Sequence, residues 1–165
     1  MNETTLRPDW SICTAEDSIW SPEKSAFSEG SSRVSPSTGT VFTRAELTQI
    51  AAIVEEFDLW VVSDEVYEHM VYDEHVHVPF ATIPGMLERT ITLGSAGKSL
   101  SLTGWKVGWA TGPADLIAAV RVPRQHLSFV SGGPFQWAVA EGLRLPDSYW
   151  HEFRDGMQLR RDLFC

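Results

Sequence analysis

Apolar residues at Leu47, Ile50, Ala51 and Val54 fall on one face of a helix, and Thr43-x-x-Glu46 just ahead of them is a capping box, so the pattern predicts a helix from Thr43 to about Phe57. Leu59 to Val62 is a short unbroken apolar run, the mark of a strand covered on both faces, with Asp64 just past its end. The stretch 73–89 reads as a loop with a short helical piece. Thr90 to Leu93 is a second buried strand and Trp105 to Thr111 a third. Pro113 stands where helices start, and Leu116 to Val122 supplies the apolar face of the helix that follows. Ser131-Gly132-Gly133-Pro134 interrupts a further helical stretch that resumes to about Leu143, and Pro146 and Asp147 open a final helix toward Arg161.

Helix, strand, helix alternation of this kind predicts an α/β architecture with a mostly parallel sheet and flanking helices. Residues 1–40 break the pattern: they are rich in Ser, Thr, Pro and Glu with isolated Trp10 and Trp20, and read as loops with one short strand. The sequence therefore divides into a loop-rich segment 1–40, an α/β body 41–145 and a helix beginning at 146–165.

Composition changes this picture little. At 165 residues, with 43% hydrophobic and 21% charged residues, the chain can bury a core as one domain. The net charge of −9 argues against nucleic acid and anionic membranes as partners. It does not argue against a small anion, since local cations decide that. Cys13 and Cys165 lie at opposite ends with no paired spacing, which fits a reducing, cytoplasmic setting. No apolar run approaches the roughly 20 residues of a membrane helix.

The chemistry concentrates in Ser95-Ala96-Gly97-Lys98 and in Lys106, which stands beside a glycine-bearing strand. A lysine amine can form a Schiff base with a carbonyl. A serine hydroxyl, turn amides and a second cation can hold a phosphate dianion. Pyridoxal phosphate carries both groups, so the run reads as a pyridoxal-phosphate lysine loop with Lys98 on the aldehyde and Ser95 and Lys106 on the phosphate. Serine β-lactamases also use Ser-x-x-Lys, but their Ser-Asp-Asn and Lys-Thr-Gly motifs do not occur here. Asp64, at a strand end, is the candidate carboxylate for the cofactor's pyridine nitrogen, where it keeps the ring an electron sink. Tyr67 is the candidate donor to the ring oxygen. Ligands in sheets of this type bind beyond the carboxyl ends of the strands, where Asp64 and the lysine loop both fall.

Other polar clusters read more plainly. His69, His75 and His77 with Asp73 and Glu74 match no standard metal spacing and read as a solvated loop, with no metal site expected. Phe135 and Trp137 read as core, and Arg160 and Arg161 as a charged helix face.

With these residues in view, the stretch from about Val41 to Leu143 resembles the fold-type I, class I/II pyridoxal-phosphate aminotransferases. Ser63-Asp64-Glu65-Val66-Tyr67-Glu68 is similar to the family's aspartate–tyrosine motif, and Ser95 to Gly108 to its lysine motif. Within the family, the look is nearest to the branch of kynurenine and N-succinyldiaminopimelate aminotransferases. The resemblance implies amino transfer between an amino acid and a 2-oxo acid, with 2-oxoglutarate as the usual acceptor, Lys98 as the proton-moving base, and a homodimer as the usual assembly. It also implies that the chain is shortened at both ends relative to the family, lacking an upstream phosphate loop and the downstream small domain. Each lost charge-assisted hydrogen bond is worth roughly 1.5–3 kcal/mol, so weak or no cofactor binding by this chain alone is expected. Where relatives carry Asn-Pro-Thr-Gly, this sequence has Ser35-Pro36-Ser37-Thr38-Gly39, which places Pro36, with no side-chain donor, at the asparagine. Two alternatives accompany this reading: an inactive remnant or interaction module, and a pyridoxal-phosphate-dependent lyase.

Overall fold

The computed structural model describes residues 10–13, 39–130 and 132–165. The Ser35–Thr38 departure lies outside them. Helix α1 spans Arg44–Glu56. Its capping box is formed: the Thr43 hydroxyl accepts the Glu46 N–H at 3.3 Å, and the Thr43 N–H donates to Glu46 Oε2 at 2.7 Å. These bonds stabilise the charged Glu46 carboxylate and hold its pKa below the usual value. The helix exits through Asp58 at φ +50°, and the Leu59 N–H closes back on the Val54 carbonyl at 2.9 Å. That closure assigns Leu59 to the helix exit, so strand β2 is Val61–Asp64 rather than the expected Leu59–Val62. Asp64 is therefore the last residue of the strand and not a residue past its end.

Strand β3 is Thr90–Ser95, two residues longer than its apolar run, and is preceded by two short 3₁₀ turns at Phe80–Thr82 and Leu87–Arg89. A four-residue helical turn, α2, follows at Ala96–Ser99. The third expected strand begins later than its apolar run: Thr103–Trp105 is a 3₁₀ turn, Lys106 is left-handed at φ 56°, and β4 is Gly108–Pro113. Helices α3 (Ala114–Leu127), α4 (Gly133–Gly142) and α5 (Asp147–Phe164) complete the order, with β1 at Trp10–Cys13.

The sheet order is β1–β4–β3–β2. β2 and β3 are parallel, with Val61 opposite Thr90 and Asp64 opposite Leu93. β3–β4 and β4–β1 are antiparallel, with Ser95 opposite Gly108 and Trp10 opposite Pro113. The expected mostly parallel sheet is thus mixed across its described strands. For the β3–β4 pair the reason is the lysine loop. A parallel return needs a crossover long enough to traverse the sheet, and residues 96–107 instead turn back at the edge where β3 ends.

Three apolar clusters hold the layers. Leu47, Ala51 and Val54 of α1 pack against Phe80, Ile83 and Met86 from the β2–β3 connection. Ile91 and Ala110 of the sheet pack against Ile117 of α3. Ala96 and Val107 pack against Val139 of α4, so the lysine loop is fastened at both its ends to one helix. The expected core roles of Phe135 and Trp137 are corrected. Val139 is the buried side chain of α4, Trp137 is 81% exposed, and Phe135 instead stacks on Trp105 at 4.6 Å. An apolar composition indicates that a helix buries a face but not which neighbour is present to cover it.

Helix α5 is held against the 69–73 loop. The Asp73 carboxylate accepts two bonds from Arg161, at 2.6 and 2.9 Å, and Gln158 pairs with the Asp73 backbone and side chain. The Arg161 guanidinium also lies over the Tyr72 ring at 5.2 Å. Arg161 is therefore an anchor, not the plain charged face the sequence implied, whereas Arg160 is exposed.

Gly112 in β4 is a close-approach position. A Cβ there would stand 2.8 Å from the Thr90 carbonyl oxygen and 3.3 Å from Ile91 Cα, both backbone atoms that cannot swing aside. Gly112→Ala is expected to cost about 1–3 kcal/mol through forced separation of β3 and β4, read as a lower denaturant midpoint at unchanged slope.

Candidate functional site

Because β2 and β3 run parallel, their carboxyl ends share one edge, and Asp64 and Ser95 both stand there. Adjacent strands lie about 4.8 Å apart, so the two ends are neighbours across the ladder. Beyond Asp64 the chain turns, with the Glu65 N–H bonded to the Leu93 carbonyl at 3.0 Å and the Val66 N–H to Asp64 Oδ1 at 3.4 Å. This turn carries Tyr67 toward α2, and the Lys98 ammonium lies 5.1 Å from the centre of the Tyr67 ring. Lys106 enters the same edge from the other side, immediately ahead of β4, whose Gly108 pairs with Ser95. The five residues named from sequence, Asp64, Tyr67, Ser95, Lys98 and Lys106, are thus carried by segments meeting at one sheet edge. Asp64 and Lys106 are exposed, while Tyr67, Ser95 and Lys98 are half-buried.

The loop that presents Lys98 is laced by its own backbone. The Ala96 N–H bonds the Val107 carbonyl at 3.2 Å, and the Leu100 and Leu102 N–H groups both reach the Ala96 carbonyl. Gly97 permits this closure: a Cβ there would lie 3.2 Å from both Ser95 Oγ and Thr103 Cα, so a side chain would press on the serine hydroxyl and on the turn.

The donor set suits pyridoxal phosphate. It offers an amine for an aldehyde, a carboxylate for a pyridinium, a phenol for a ring oxygen, and a hydroxyl and second amine for a phosphate. The exposed Asp64 and Lys106 are accessible to a ligand, while Tyr67, Ser95 and Lys98 are half-buried.

Sequence reasoning passed over a second layer behind the edge. Glu65 has a side chain 2% exposed, and its Oε1 accepts the Ser63 hydroxyl at 2.8 Å and the Phe80 N–H at 3.0 Å. Its Oε2 lies 2.8 Å from His77 Nε2. Glu68 is pushed above the usual carboxylate range by burial, reinforced by the charge of Glu65 and opposed by His77 and Ser99. No local spacing announces these contacts, since Glu65 and His77 are twelve residues apart.

The histidines are also more ordered than a solvated loop. His77 is mostly buried on Glu65, and His69 stacks on Trp150 of α5 at 4.1 Å, leaving His75 exposed. A cavity of about 330 Å³ lies among them, lined by Glu68, His75, His151 and Arg154 as well. Among the described residues no group of three or more His, Cys, Asp or Glu could hold a metal ion. Burial first, and the neighbouring His77 second, hold His69 below the usual histidine value. Between its folded value and its usual value the unfolded chain binds the extra proton, so this stability is present above the ordinary histidine range and lost as pH falls through it. Amide exchange in Asp147–Phe164, corrected for intrinsic rates, is expected to quicken on acidification below that range. His69→Gln should flatten the response.

Comparison with known proteins supplies the family. Residues 33–165 match the model for aminotransferase class I and II. A probable N-succinyldiaminopimelate aminotransferase of Mycobacterium tuberculosis is 50% identical over 125 residues, covering 76% of this chain and 32% of its own length. Kynurenine–oxoglutarate transaminase 3 of Mus musculus is 44% identical over 131 residues, covering 75% of this chain and 29% of its own. Among solved structures, the N-succinyldiaminopimelate aminotransferase of Mycobacterium tuberculosis superposes with a TM-score of 0.75 at 50% identity, over 77% of this chain and 33% of that one. An aromatic aminotransferase from Pyrococcus horikoshii gives 0.71 at 36% identity, over 77% and 34%. The chain spans about a third of the length of the relatives it matches. No helix among the described residues is long and apolar enough to cross a membrane. An α/β edge that gathers a lysine, an aspartate and a tyrosine, in a sequence matched over most of its length, makes this chain a member of the class I and II aminotransferase family.

Proposed function

We propose that this chain carries part of a pyridoxal-phosphate-dependent aminotransferase site that moves an amino group from an amino acid to a 2-oxo acid. The observation that carries the reading is the Lys98 ammonium over the Tyr67 ring, beside the strand end that bears Asp64. Bound pyridoxal phosphate supplies an electron sink for a substrate carbanion. Lys98 would hold the cofactor's aldehyde, and its amine is the group that would take the substrate Cα proton and return it. Asp64 pairs with the ring nitrogen and keeps it protonated. Tyr67 donates to the ring oxygen, and its face against the ammonium limits where the lysine amine can swing. Ser95 and Lys106 hold the phosphate, one as a hydroxyl donor and one as a point charge.

The oxoglutarate in the names of the kynurenine relatives supports 2-oxoglutarate as acceptor. A homodimer is the proposed assembly, supported by exposed Leu127, Phe129 and Trp137, and the cytoplasm the proposed compartment, supported by the unpaired spacing of the two cysteines.

The test uses the small lysine count, since Lys24, Lys98 and Lys106 are the chain's lysines. Purified chain is mixed with pyridoxal phosphate, reduced with borohydride, digested and mapped. Fixation concentrated on the Lys98 peptide supports the reading. Equal labelling of all three lysines in a folded chain sinks it.

A further inference from the structure

We propose that Glu65 and His77 form a positioning pair that sets the turn carrying Asp64 and Tyr67, and so governs aldehyde capture at Lys98. The inference rests on the site reading above and adds to it two residues that stand behind the edge.

The argument starts from strand alternation. Ser63 is buried, Asp64 exposed and Glu65 buried, so consecutive side chains at the end of β2 point in, out and in. A twist of this strand end that released Glu65 to solvent would turn Asp64 inward, away from the edge. Glu65 opposes that twist. Its carboxylate, 2% exposed, is met by the Ser63 hydroxyl, the Phe80 N–H and His77 Nε2, all within 3.0 Å. An acceptor of this kind holds its donors firmly, because a buried carboxylate left without them is strongly disfavoured.

His77 is suited to this task. Its side chain is 14% exposed, and its Nδ1 is buried without a partner among the described residues. A proton on Nδ1 would be an unsatisfied buried donor, so the geometry assigns the Nε2–H tautomer, which donates to Glu65. The turn beyond Glu65 is short. The Glu68 N–H bonds the Glu65 carbonyl at 3.1 Å, placing Tyr67 inside that one turn and its ring against Lys98. A shift at Glu65 therefore reaches both Asp64, through the strand, and Tyr67, through the turn.

The experiment compares Glu65→Ala, Glu65→Gln, His77→Ala, the Glu65→Ala/His77→Ala double variant and a control, Val54→Ala, in the α1 cluster, which includes Phe80 but leaves the Phe80 N–H bond to Glu65 in place. Each is scored for borohydride-fixed pyridoxal phosphate on the Lys98 peptide at limiting cofactor, and for melting temperature. Glu65→Ala and His77→Ala are each expected to cut fixation by about ten-fold, the size of one lost hydrogen bond to a charge. The double variant should fall no further than the worse single, since the two act as one unit. Glu65→Gln keeps an acceptor for Ser63 and Phe80 but turns an N–H toward the His77 Nε2–H, so it should cut fixation as His77→Ala does. Val54→Ala should lower the melting temperature yet fix cofactor as the unaltered chain does. Capture undiminished in the Glu65 and His77 variants, or equally diminished in Val54→Ala, overturns the proposal.

A cofactor-free arm separates this inference from the reading beneath it. Nitrogen-15 spectra of the imidazoles should show His77 as the Nε2–H tautomer, and the Tyr67 ring resonances should move in Glu65→Gln and His77→Ala but not in Val54→Ala. If the unaltered chain fixes no cofactor at Lys98, the site reading fails while these spectra still decide the pair. A different tautomer, or Tyr67 resonances indifferent to His77→Ala, refutes it.

Discussion

On the proposed reading, Lys98→Ala is expected to abolish any visible absorbance that pyridoxal phosphate acquires on the chain, and any amino transfer to 2-oxoglutarate should fall by at least about 10²–10⁴, the contribution of a positioned proton-transfer group. The fold should barely register the change. Lys98 is half-buried, and its ammonium lies over the face of Tyr67, an interaction worth about 0.5–2 kcal/mol depending on desolvation. α2 keeps its place through the Ala96–Val107 and Leu100–Ala96 backbone bonds and through Ala96 packed on Val139, none of which involves the lysine side chain. The expected signature is therefore a separation: circular dichroism and melting close to those of the unaltered chain, with the chemistry gone. Lys98→Arg, which keeps the charge but cannot form the imine, should match the alanine variant in activity. Transfer that survives either change within about ten-fold would mean that the amine at this position is not the group that meets the aldehyde.

Phe80→Ala is expected to have the largest effect on stability, about 3–5 kcal/mol. Phe80 is 2% exposed and packed with Leu47, Ala51, Val54, Ile83 and Met86, so it joins α1 to the β2–β3 connection. The substitution keeps the Phe80 N–H that donates to Glu65, so the loss is one of packing rather than of the buried carboxylate's partner. Native domains are stable by only about 5–15 kcal/mol, and a loss of this size removes a large share of that margin. Urea titration followed by far-ultraviolet circular dichroism should show a markedly lower midpoint. A midpoint shift worth less than about 1 kcal/mol would show that the cluster relaxes around the missing ring and does not depend on it.

These two expectations differ in how they could be known. Lys98, Ser95, Asp64 and Tyr67 could be named as candidates because the chemistry proposed for them is carried by short local motifs: a Gly/Ser turn with an amine, and a carboxylate at the end of an apolar run. Helix α1 was legible to its cap, because a Thr-x-x-Glu box and an apolar face are local properties of the chain. The ends of β2 and β4 were displaced, since helix exit at Leu59 and the left-handed Lys106 are backbone choices that apolar runs do not encode.

Residue order alone determined which groups could meet an aldehyde and a phosphate, that helices would alternate with buried strands, and, through motif likeness, the family. Only the folded chain decided that the lysine loop returns antiparallel at the sheet edge, that Trp137 faces outward while Arg161 anchors the last helix, and that Glu65 is buried on His77 behind the candidate site. The division has one physical cause. Caps, turns and periodic faces are set by neighbours within a few residues. Strand direction, burial of one face over another and the pairing of distant charges depend on which segments meet in space, and those contacts form only when the whole chain closes on itself.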